Sequence, residues 1–341
     1  MPAPTILVTG ASGVVGSALL RALDGAHARV IALTHHKPVP GRHLRGDVTR
    51  PWLGLHPDDY RELAAEVDVV VHCAASVNFT ASPTHLYNVN VRGTGHVLSF
   101  TADARARLVH TSTAFIARAG NGSSMDGYAA SKATGETLVR ESGLPAAVVR
   151  LSTITGDSRS GEIARHQAFH HLLGAAMAGQ LPFLPHHPGT AIDFVPQDIA
   201  AAGLAALALT DPPPGDYWIT AGAAALPAAR ILDLAYRAAT APDRRRGDAP
   251  EVDPRLFRTR LLDPAVTGRV ITAVLSRTPV GTPSLVQHAA KFMLAFNGAA
   301  PFPTSLGTLP GGPAAPTAHD LEEALRGTLA YILDQPEGTW A

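Results

Sequence analysis

The sequence contains one cysteine and very few lysines. Because Cys73 is the single cysteine, an internal disulfide and a zinc site built on cysteines are excluded. Within "VVVHCAAS" we expect it to be a small buried hydrophobic residue. Basic charge comes almost entirely from arginine, since the lysines are Lys37, Lys132 and Lys291. With 28 Lys plus Arg against 28 Asp plus Glu, the formal net charge is zero. The chain therefore offers no basic field to nucleic acid or to acidic membranes.

Long apolar runs and targeting signals are also missing. The longest uncharged apolar stretch, Ile199 to Leu209, is about half the length of a membrane span. "MPAPTILVTG" leads directly into a strand-like segment, without the basic region and cleavage site of a signal peptide. We therefore expect a soluble, cytoplasmic protein. Histidine pairs at 35–36, 170–171 and 186–187 lack a ligand spacing such as HExxH, and no metal site is expected.

The first part of the chain alternates two patterns. Short β-branched runs occur at "TILVTG", "RVIALT", "VDVVVHCA", "RLVHTST" and "AAVVRLS". Between them, helical spacing extends over Val14–Leu23, Asp58–Glu66, Pro83–Thr101 and Tyr128–Glu141. Apolar strands separated by helices indicate a parallel sheet covered on both faces. This order predicts an α/β fold with a doubly wound, Rossmann-type sheet, which binds ligands at the carboxyl ends of its strands.

The pattern changes after residue 155. We expect 156–189 to be a helical stretch that ends in a loop, and 191–209 to return to strand and helix. Helices dominate from about 223, interrupted by the charged loop "APDRRRGDAPEVDPR", and an amphipathic helix closes the chain. These features predict a Rossmann domain over 1–155 plus about 190–222. A smaller, mostly helical substrate-binding lobe would comprise about 156–189 and 223–341.

"VTGASGVVGSALL" places Gly10, Gly13 and Gly16 between the first strand and the first helix. Glycine at such positions permits a tight turn, lets the backbone approach a pyrophosphate, and lets the helix pack against the strand. The helix N-terminus supplies free N–H groups and a partial positive charge for the phosphates. The segment predicts a dinucleotide-binding site.

The end of the second strand distinguishes NAD from NADP. A carboxylate there would bind the ribose hydroxyls and repel a 2′-phosphate. "RVIALTHHKPVPGR" has no carboxylate and offers His35, His36, Lys37 and Arg42 instead, so we expect NADP(H) rather than NAD(H). Asp47 in "RGDVT" is either an acceptor for the adenine amino group or a turn residue.

Tyr128 and Lys132 lie four residues apart in "GYAASKATGET", on one face of a helix. They are either a catalytic pair or two unrelated helix residues. A neighbouring ammonium lowers the pKa of a phenol, and arginine does not replace it as a compact multi-donor charge.

The G10xxG13xxG16 turn together with Tyr128 and Lys132 resembles the extended branch of the short-chain dehydrogenase/reductase superfamily. "HCAA" at 72–75, "NVRGT" at 90–94 and "FVPQDIA" at 194–200 agree with this resemblance. Within the branch, the chain resembles the thioester-reductase and fatty acyl-CoA-reductase group with its male-sterility-type NAD-binding domain. The similar stretches are 46–79, "VNVRGTGHVL", "VHTSTAFIA" and above all "GDSRSG" at 156–161.

The resemblance implies a catalytic set of Thr113, Tyr128 and Lys132. Tyr128 would be the general acid, and Lys132 would lower the phenol's pKa and hold the ribose hydroxyls. The Thr113 hydroxyl would bind the developing oxyanion. On an acyl thioester, hydride transfer gives a hemithioacetal that collapses to an aldehyde and a thiol, and a second hydride gives the alcohol. The implied cofactor-binding residues are Gly10, Ser12, Gly13, Val14, Val15, Gly16, His35, His36, Asp47, Val48, Ala74, Ala75, Lys132, Leu151 and Thr153.

Two stretches beside the expected substrate site depart from the group's pattern. The loop "ARAGNGSSMDG" between Thr113 and Tyr128 is short, and Arg150-Leu151-Ser152 stands where the group has Arg-Pro-Gly. The sequence contains no adenylation or carrier domain, so a carrier-protein-tethered acyl substrate is expected to arrive in trans. Both a monomer and a homodimer are compatible with the sequence.

Other functions stay open. The same fold could act on a free aldehyde or ketone, a hydroxysteroid or a nucleotide sugar. Ala114, which follows Thr113, disfavours a sugar dehydratase, since that chemistry needs an acid there. A non-catalytic NADP-binding regulator is a further alternative, against which the complete Thr, Tyr and Lys set argues.

Overall fold

The computed structural model describes residues 3–79, 81–118, 126–181, 183–241, 258–263 and 300–336. Within them, seven parallel strands form one sheet in the order β3-β2-β1-β4-β5-β6-β11. Three further strand pairs lie outside this sheet: β7 with β10, β8 with β13 and β9 with β12. The strands are β1 Thr5–Thr9, β2 Arg29–Thr34, β3 His43–Arg45, β4 Val69–His72, β5 Arg107–Thr113, β6 Ala146–Leu151, β7 Thr153–Thr155, β8 Phe183–Pro185, β9 Ala191–Ile192, β10 Phe194–Pro196, β11 Gly215–Ile219, β12 Leu226–Pro227 and β13 Arg260–Leu262.

Helices connect these strands. A π-helical turn, Tyr87–Arg92, joins two of them, and 3-10 turns occupy Pro51–Gly54, Ala114–Arg118 and Gly222–Ala224. The helices are α1 Val14–Leu23, α2 Pro57–Glu66, α3 Pro83–Leu86, α4 Gly93–Asp103, α5 Asp126–Glu141, α6 Ala168–Met177, α7 Gln197–Leu209, α8 Ala228–Ala239 and α9 Ala318–Asp334.

The main sheet is covered on both faces, as its apolar strands require. Alternate strand residues point to opposite faces. Leu7, Val70 and Leu108 belong to a hydrophobic cluster with residues of α2, α4 and α5. Val8 and Val71 belong to a second cluster with residues of α1 and α7. The expected doubly wound α/β fold is confirmed, with its strand order reversing between β1 and β4.

A third hydrophobic cluster gathers the C-terminal elements. It contains the buried sides of α6, α8 and α9, including Phe169, Ile231 and Leu325, together with Phe115 after strand β5. The closing helix α9 is amphipathic, as expected, and starts with a capping box. There the Thr317 hydroxyl accepts from the Asp320 N–H, while the Thr317 N–H donates to the Asp320 carboxylate. Part of the expected charged loop, 242–255, lies outside the described residues.

Some local expectations were wrong. The stretch 156–189 is helical only over α6, because residues 156–161 form a turn in which the Asp157 carboxylate accepts from the N–H groups of Arg159 and Ser160. Strand β3 was not expected, since a three-residue edge strand with exposed His43 and Arg45 has no apolar run.

Strand β11 adds to the main sheet beside β6, whereas β9 pairs with β12. The expected Rossmann residues 190–222 thus contact both parts of the chain. No helix of the described part of the chain is long and apolar enough to cross a bilayer.

Candidate active site

The turn between β1 and α1 is built on glycine. Gly10 has a φ of +66°, in the left-handed region, and its carbonyl accepts from the Gly13 N–H at 2.9 Å. A Cβ on Gly10 would lie 2.5 Å from the Ala74 nitrogen, and one on Gly16 would lie 2.2 Å from the Gly10 carbonyl oxygen. Both neighbours are backbone atoms, so neither position has room for a side chain. Strand β1, helix α1 and residue 74 therefore approach one another more closely than any residue other than glycine would allow at positions 10 and 16.

This turn leaves the N-terminus of α1 open. The helix begins at Val14, and no side chain caps it at Gly13. The first N–H groups of a helix have no partner within the helix. Val14, Val15 and Gly16 line a cavity, so these donors and the positive end of the helix dipole are available to an anion there. The cradle fits the pyrophosphate of a dinucleotide.

The cavity has a volume of about 830 Å³ and extends from the glycine turn to helix α6. This size lies in the range of sites that enclose a small molecule. The residues that line it are Gly10, Gly13, Val14, Val15, Gly16, Cys73, Ala75, Ser76, Val77, Asn78, Phe79, His85, Val89, Ser112, Thr113, Phe115, Tyr128, Leu151, Ser152, Thr153, Ile154, Arg165, His166, Gln167, Ala168, Phe169, His171 and Leu172.

Thr113 and Tyr128 meet in the wall of this cavity. Thr113 is the last residue of β5, Tyr128 lies in the first turn of α5, and the Thr113 hydroxyl is a hydrogen-bond partner of the phenol. The Phe79 ring contacts the edge of the Tyr128 ring, with 5.3 Å between centroids. One turn later on α5, the Lys132 ammonium donates to the Thr111 carbonyl at 2.6 Å. The three expected catalytic residues thus lie together at the carboxyl end of β5.

Burial controls the ionisation of this pair. It raises the pKa of Tyr128 to about 12, against a lowering by the Thr113 hydroxyl. It lowers the pKa of Lys132 to about 8, whereas Cys73 and the Glu136 carboxylate act to raise that pKa. The expectation that Lys132 lowers the tyrosine pKa toward neutrality is therefore not met, because desolvation of the phenolate dominates. Tyr128 instead keeps its proton at neutral pH, which is the form that a general acid needs.

Other expected cofactor residues also line the cavity or adjoin it. Ala75, Leu151 and Thr153 line it, and Ala74 packs against the glycine turn. The Thr153 hydroxyl is buried and has no hydrogen-bond partner among the described residues, which fits a site that a ligand completes. The expected residues that do not line the cavity are Ser12, His35, His36, Asp47, Val48, Ala74 and Lys132.

The end of β2 differs from the expectation in detail. Arg42 is committed to Glu66 through a bidentate ion pair, so it is not a free phosphate ligand. Asp47 uses one carboxylate oxygen in a turn with Thr49, and its other oxygen lies 3.7 Å from His35. Asp47 thus takes part in a turn, and its contact with the adenine amino group stays a prediction.

Arg45 is the residue that sequence reasoning missed at this end of the sheet. It lies opposite Thr34, the last residue of β2, in the register of strand β3. Its side chain is exposed and has no ion-pair partner in the described part of the chain. Strand β3 was not predicted, and therefore this cation was not assigned to the strand end.

The segment 75–79 and the start of α6 were also missed. Asn90, inside the π-helical turn, accepts from the Ser76 N–H at 2.8 Å and donates to the Ser76 carbonyl and to the Ser131 hydroxyl. It thereby fixes the segment 75–79 against helix α5. A π turn is frequent at functional sites, but it leaves no pattern in the sequence.

Cys73 also differs from the expectation. It is half-buried, because it packs against the hydrophobic cluster of α1 and α7 on one side and lines the cavity on the other. Burial raises the pKa of its thiol to about 12, so the thiol is not ionised at neutral pH and is a poor nucleophile.

The described part of the cavity wall contains basic side chains and no acidic ones. Among the described residues that line it, His85, Arg165, His166 and His171 are basic, and none is an aspartate or glutamate. Val77, Phe79, Val89, Phe115, Phe169 and Leu172 make its remaining wall largely apolar. No group of three or more histidine, cysteine, aspartate or glutamate side chains in the described ranges could hold a metal ion.

Comparison with known proteins agrees with this geometry. A family model described as "Male sterility protein" matches residues 41–125 and 116–204. The chain is 32% identical over 225 residues to the hybrid PKS-NRPS synthetase pvhA of Talaromyces variabilis, which covers 60% of this chain and 6% of that protein. It is 26% identical over 275 residues to a carboxylic acid reductase of Mycobacterium marinum, which covers 58% of this chain and 23% of that protein. The chain thus spans a small part of the curated relatives it matches.

A solved structure extends the similarity to nearly the whole chain. The terminal R domain from the myxalamid PKS-NRPS biosynthetic pathway superposes with a TM-score of 0.74 at 21% identity, over 99% of this chain and 93% of that one. At this identity the superposition shows the shared fold. The chain has the nicotinamide-binding fold of the extended short-chain dehydrogenase/reductases, and it is similar to the thioester-reductase and fatty acyl-CoA-reductase group.

Proposed function

We propose that this chain is an NADPH-dependent reductase of an acyl thioester, presented on a carrier protein or on CoA, and that it releases an aldehyde. The observation that carries the proposal is one continuous cavity, which joins the glycine cradle, the Thr113–Tyr128 pair and the apolar start of α6. Such a cavity can hold a dinucleotide at one end and an acyl group at the other. The similarity to the R domain and to the carboxylic acid reductase supports this choice of substrate.

The residues would share the work as follows. A reduced nicotinamide, when bound, supplies the hydride that adds to the thioester carbonyl carbon. Tyr128 donates its proton to the carbonyl oxygen, while the Thr113 hydroxyl binds the same oxygen. The Lys132 ammonium, which donates to the Thr111 carbonyl, would hold the ribose hydroxyls of the cofactor. The resulting hemithioacetal loses its thiol by cleavage of the C–S bond, which leaves the aldehyde, and a second round would give the alcohol.

The cavity wall favours this substrate over the alternatives. A sugar dehydratase needs an acid beside Thr113, but the next residue is the buried Ala114, and no described lining residue is acidic. Segment 75–79 and α6 also bring the apolar side chains of Val77, Phe79, Phe169 and Leu172 into the wall, which suits an acyl chain. We also assign 1–155 and about 190–222 to cofactor binding, and about 156–189 and 223–341 to substrate binding.

The proposal is tested by the loss of NADPH absorbance with five substrates: acyl-pantetheine, acyl-CoA, an acylated carrier protein, a free aldehyde and a UDP-sugar. We expect turnover of at least one thioester, with the aldehyde trapped as a hydrazone. Tyr128→Phe should lower kcat by about 10²–10⁴-fold, the usual contribution of a general acid. Tyr87→Phe is the matched control, because Tyr87 is exposed and is not among the residues that line the cavity.

The outcomes separate the candidates. Turnover of aldehydes but of no thioester would contradict the proposed substrate. Turnover of the UDP-sugar alone would favour the nucleotide-sugar alternative. Tight cofactor binding without turnover of any substrate would favour the regulator.

We propose NADPH as the cofactor because the end of β2 lacks a free carboxylate and has cations beside it. Arg45 lies opposite Thr34, and His35 and His36 follow the strand. A 2′-phosphate bound by one exposed arginine gains on the order of 1 kcal/mol. Arg45→Ala should therefore weaken NADPH binding about fivefold and leave NADH binding unchanged, as measured by titration of protein fluorescence. Arg42→Ala is the control, since Arg42 already pairs with Glu66, and an equal effect of both variants would contradict the assignment.

A further inference from the structure

Glu136 is a buried carboxylate on the helix that carries the proposed catalytic pair. It follows Lys132 by four residues, as Lys132 follows Tyr128, so the three side chains form one row along the buried face of α5. Glu136 is 1% exposed. A carboxylate at such depth is costly unless it is paired. It does not line the cavity.

The partners of Glu136 connect α5 to the strands beneath it. Its carboxylate accepts from Arg150 Nε at 2.9 Å and from Arg150 Nη2 at 2.6 Å. Arg140, one turn further along α5, donates to the same carboxylate at 2.8 Å. Arg150 on β6 lies opposite Ser112 on β5. The next residues of the two strands, Leu151 and Thr113, line the cavity. The ion pair therefore acts directly behind the cavity wall.

We propose that Glu136 is a positioning residue for the reaction: its buried carboxylate keeps the Lys132 ammonium charged, and its pairing with Arg150 holds the catalytic face of α5 against β5 and β6. The role in turnover rests on the proposed function. The effect on the charge of Lys132 does not, and it can be measured by itself.

The surroundings of Lys132 leave Glu136 as its main counter-charge. Burial lowers the pKa of Lys132 to about 8, and Cys73 and Glu136 act in the opposite direction. The Cys73 thiol, with a pKa raised to about 12 by burial, is neutral at neutral pH. His72 on β4 and His110 on β5 also face Lys132, and burial lowers the pKa of each well below 6.5, so both are uncharged.

Two other groups complete these surroundings. Tyr128 is neutral as well, because burial raises its pKa to about 12. The Thr111 carbonyl accepts a hydrogen bond from the ammonium but carries no charge. Arg140 and Arg150 offset part of the Glu136 charge, and both also pair with Asp216. Of the groups that act on Lys132, Glu136 is thus the one that bears a negative charge at neutral pH.

The expected effect is large enough to measure. Side chains four residues apart on a helix lie about 6 Å from each other. A full charge at that distance, in an effective dielectric of about 20, shifts a pKa by about two units. Since the two arginines offset part of the Glu136 charge, Glu136→Gln should lower the pKa of Lys132 by about one unit.

The scarcity of lysine makes a direct test possible. With three lysines in the chain, carbon-13 labelling at lysine Cε gives an NMR spectrum in which Lys132→Arg identifies the signal of Lys132. We expect the titration midpoint of this signal to fall by about one pH unit in Glu136→Gln. It should not move in Asp216→Asn, the matched control, which removes another acidic partner of the same two arginines. An unchanged midpoint in Glu136→Gln, or an equal fall in Asp216→Asn, would overturn the proposal.

A second measurement links the charge to turnover. The protonated form of Lys132 is active, so activity is lost as pH rises through its pKa. The alkaline limb of kcat/KM should therefore lie about one pH unit lower in Glu136→Gln, and Glu136→Asp should recover part of the shift. If Glu136→Gln does not fold, Glu136→Asp carries the test alone: a smaller fall in the NMR midpoint supports the proposal, and no fall overturns it. An enzyme without thioester turnover would refute the proposed function, while the NMR midpoint would still decide the effect on Lys132.

Discussion

Two glycines with the same backbone conformation allow the crowding of the cofactor turn to be measured. Gly10 and Gly25 both have positive φ, +66° and +74°. A Cβ on Gly25 would have no atom within 4 Å, whereas one on Gly10 would lie 2.5 Å from the Ala74 nitrogen and 2.7 Å from the Cys73 carbonyl carbon. Gly25→Ala thus tests the conformation alone, and Gly10→Ala tests the conformation together with the contact.

The free-energy cost of the left-handed conformation can be separated from that of the steric contact. An alanine in the left-handed region costs about 1–2 kcal/mol. A methyl group forced against backbone atoms costs about 1–3 kcal/mol more. We therefore expect the free energy of unfolding to fall by about 1–2 kcal/mol in Gly25→Ala and by about 2–5 kcal/mol in Gly10→Ala. Gly16→Ala adds the complementary case, since its Cβ would lie 2.2 Å from the Gly10 oxygen without a positive φ.

The same variants report on the cofactor. Relief of the contact at Gly10 moves the start of α1 away from Ala74, and with it the donors proposed for the pyrophosphate. A loss of about 1.4 kcal/mol in that interaction weakens NADPH binding tenfold. Urea-induced unfolding and fluorescence titration with NADPH measure the two effects. The reasoning is refuted if Gly10→Ala is no less stable than Gly25→Ala, or if it binds NADPH as the wild type does.

Two further substitutions test buried polar groups. Thr153→Val removes a buried hydroxyl that has no hydrogen-bond partner among the described residues. We expect the unfolding midpoint to stay the same or to rise, and NADPH binding to weaken by several-fold. If the variant binds NADPH as tightly as the wild type, the hydroxyl does not contact the cofactor. Asp193 accepts from the N–H groups of Ala221 and Gly222, and burial raises its pKa to about 6. Because the folded pKa lies above the unfolded one, the wild type should lose stability as pH rises from about 4 to about 6, by roughly 3 kcal/mol. Asp193→Asn should lack this loss, and parallel stability curves for the two proteins would contradict the assignment.

The parts of the site that could be predicted from sequence depend on local spacing. Gly10, Gly13 and Gly16 are required by one turn, and Tyr128 and Lys132 share a helix face, so neither group needs knowledge of distant contacts. The central strands of the main sheet, β2, β1, β4, β5 and β6, were recognisable because both faces of the sheet are buried there and the strand sequences are apolar.

The parts that could not be predicted depend on partners far along the chain. Arg45 approaches the end of β2 only because a three-residue edge strand forms. The burial of Glu136 is compensated by Arg150, which lies fourteen residues later on another element. Cys73 follows an apolar strand and therefore looks like a core residue, yet it lines the cavity beside the glycine turn. A pattern of apolar residues does not show at which residue a strand leaves the part of the sheet that helices cover.

The placement of the acidic residues follows from the ligand that the site is proposed to hold. Glu136 follows Lys132 on α5, and Asp193 accepts from the N–H groups of Ala221 and Gly222, so both carboxylates are buried and neither lines the cavity. A carboxylate in the wall, about 6 Å from a bound phosphate at an effective dielectric of about 20, would repel it by about 3 kcal/mol. That repulsion corresponds to about a hundredfold loss of affinity. From one layer behind, a carboxylate still supports a cation or a backbone turn, while the described residues that face the ligand are basic, neutral polar or apolar. This layered arrangement is the one that we expect for the proposed polyanionic cofactor and for a reduction that needs a charged lysine.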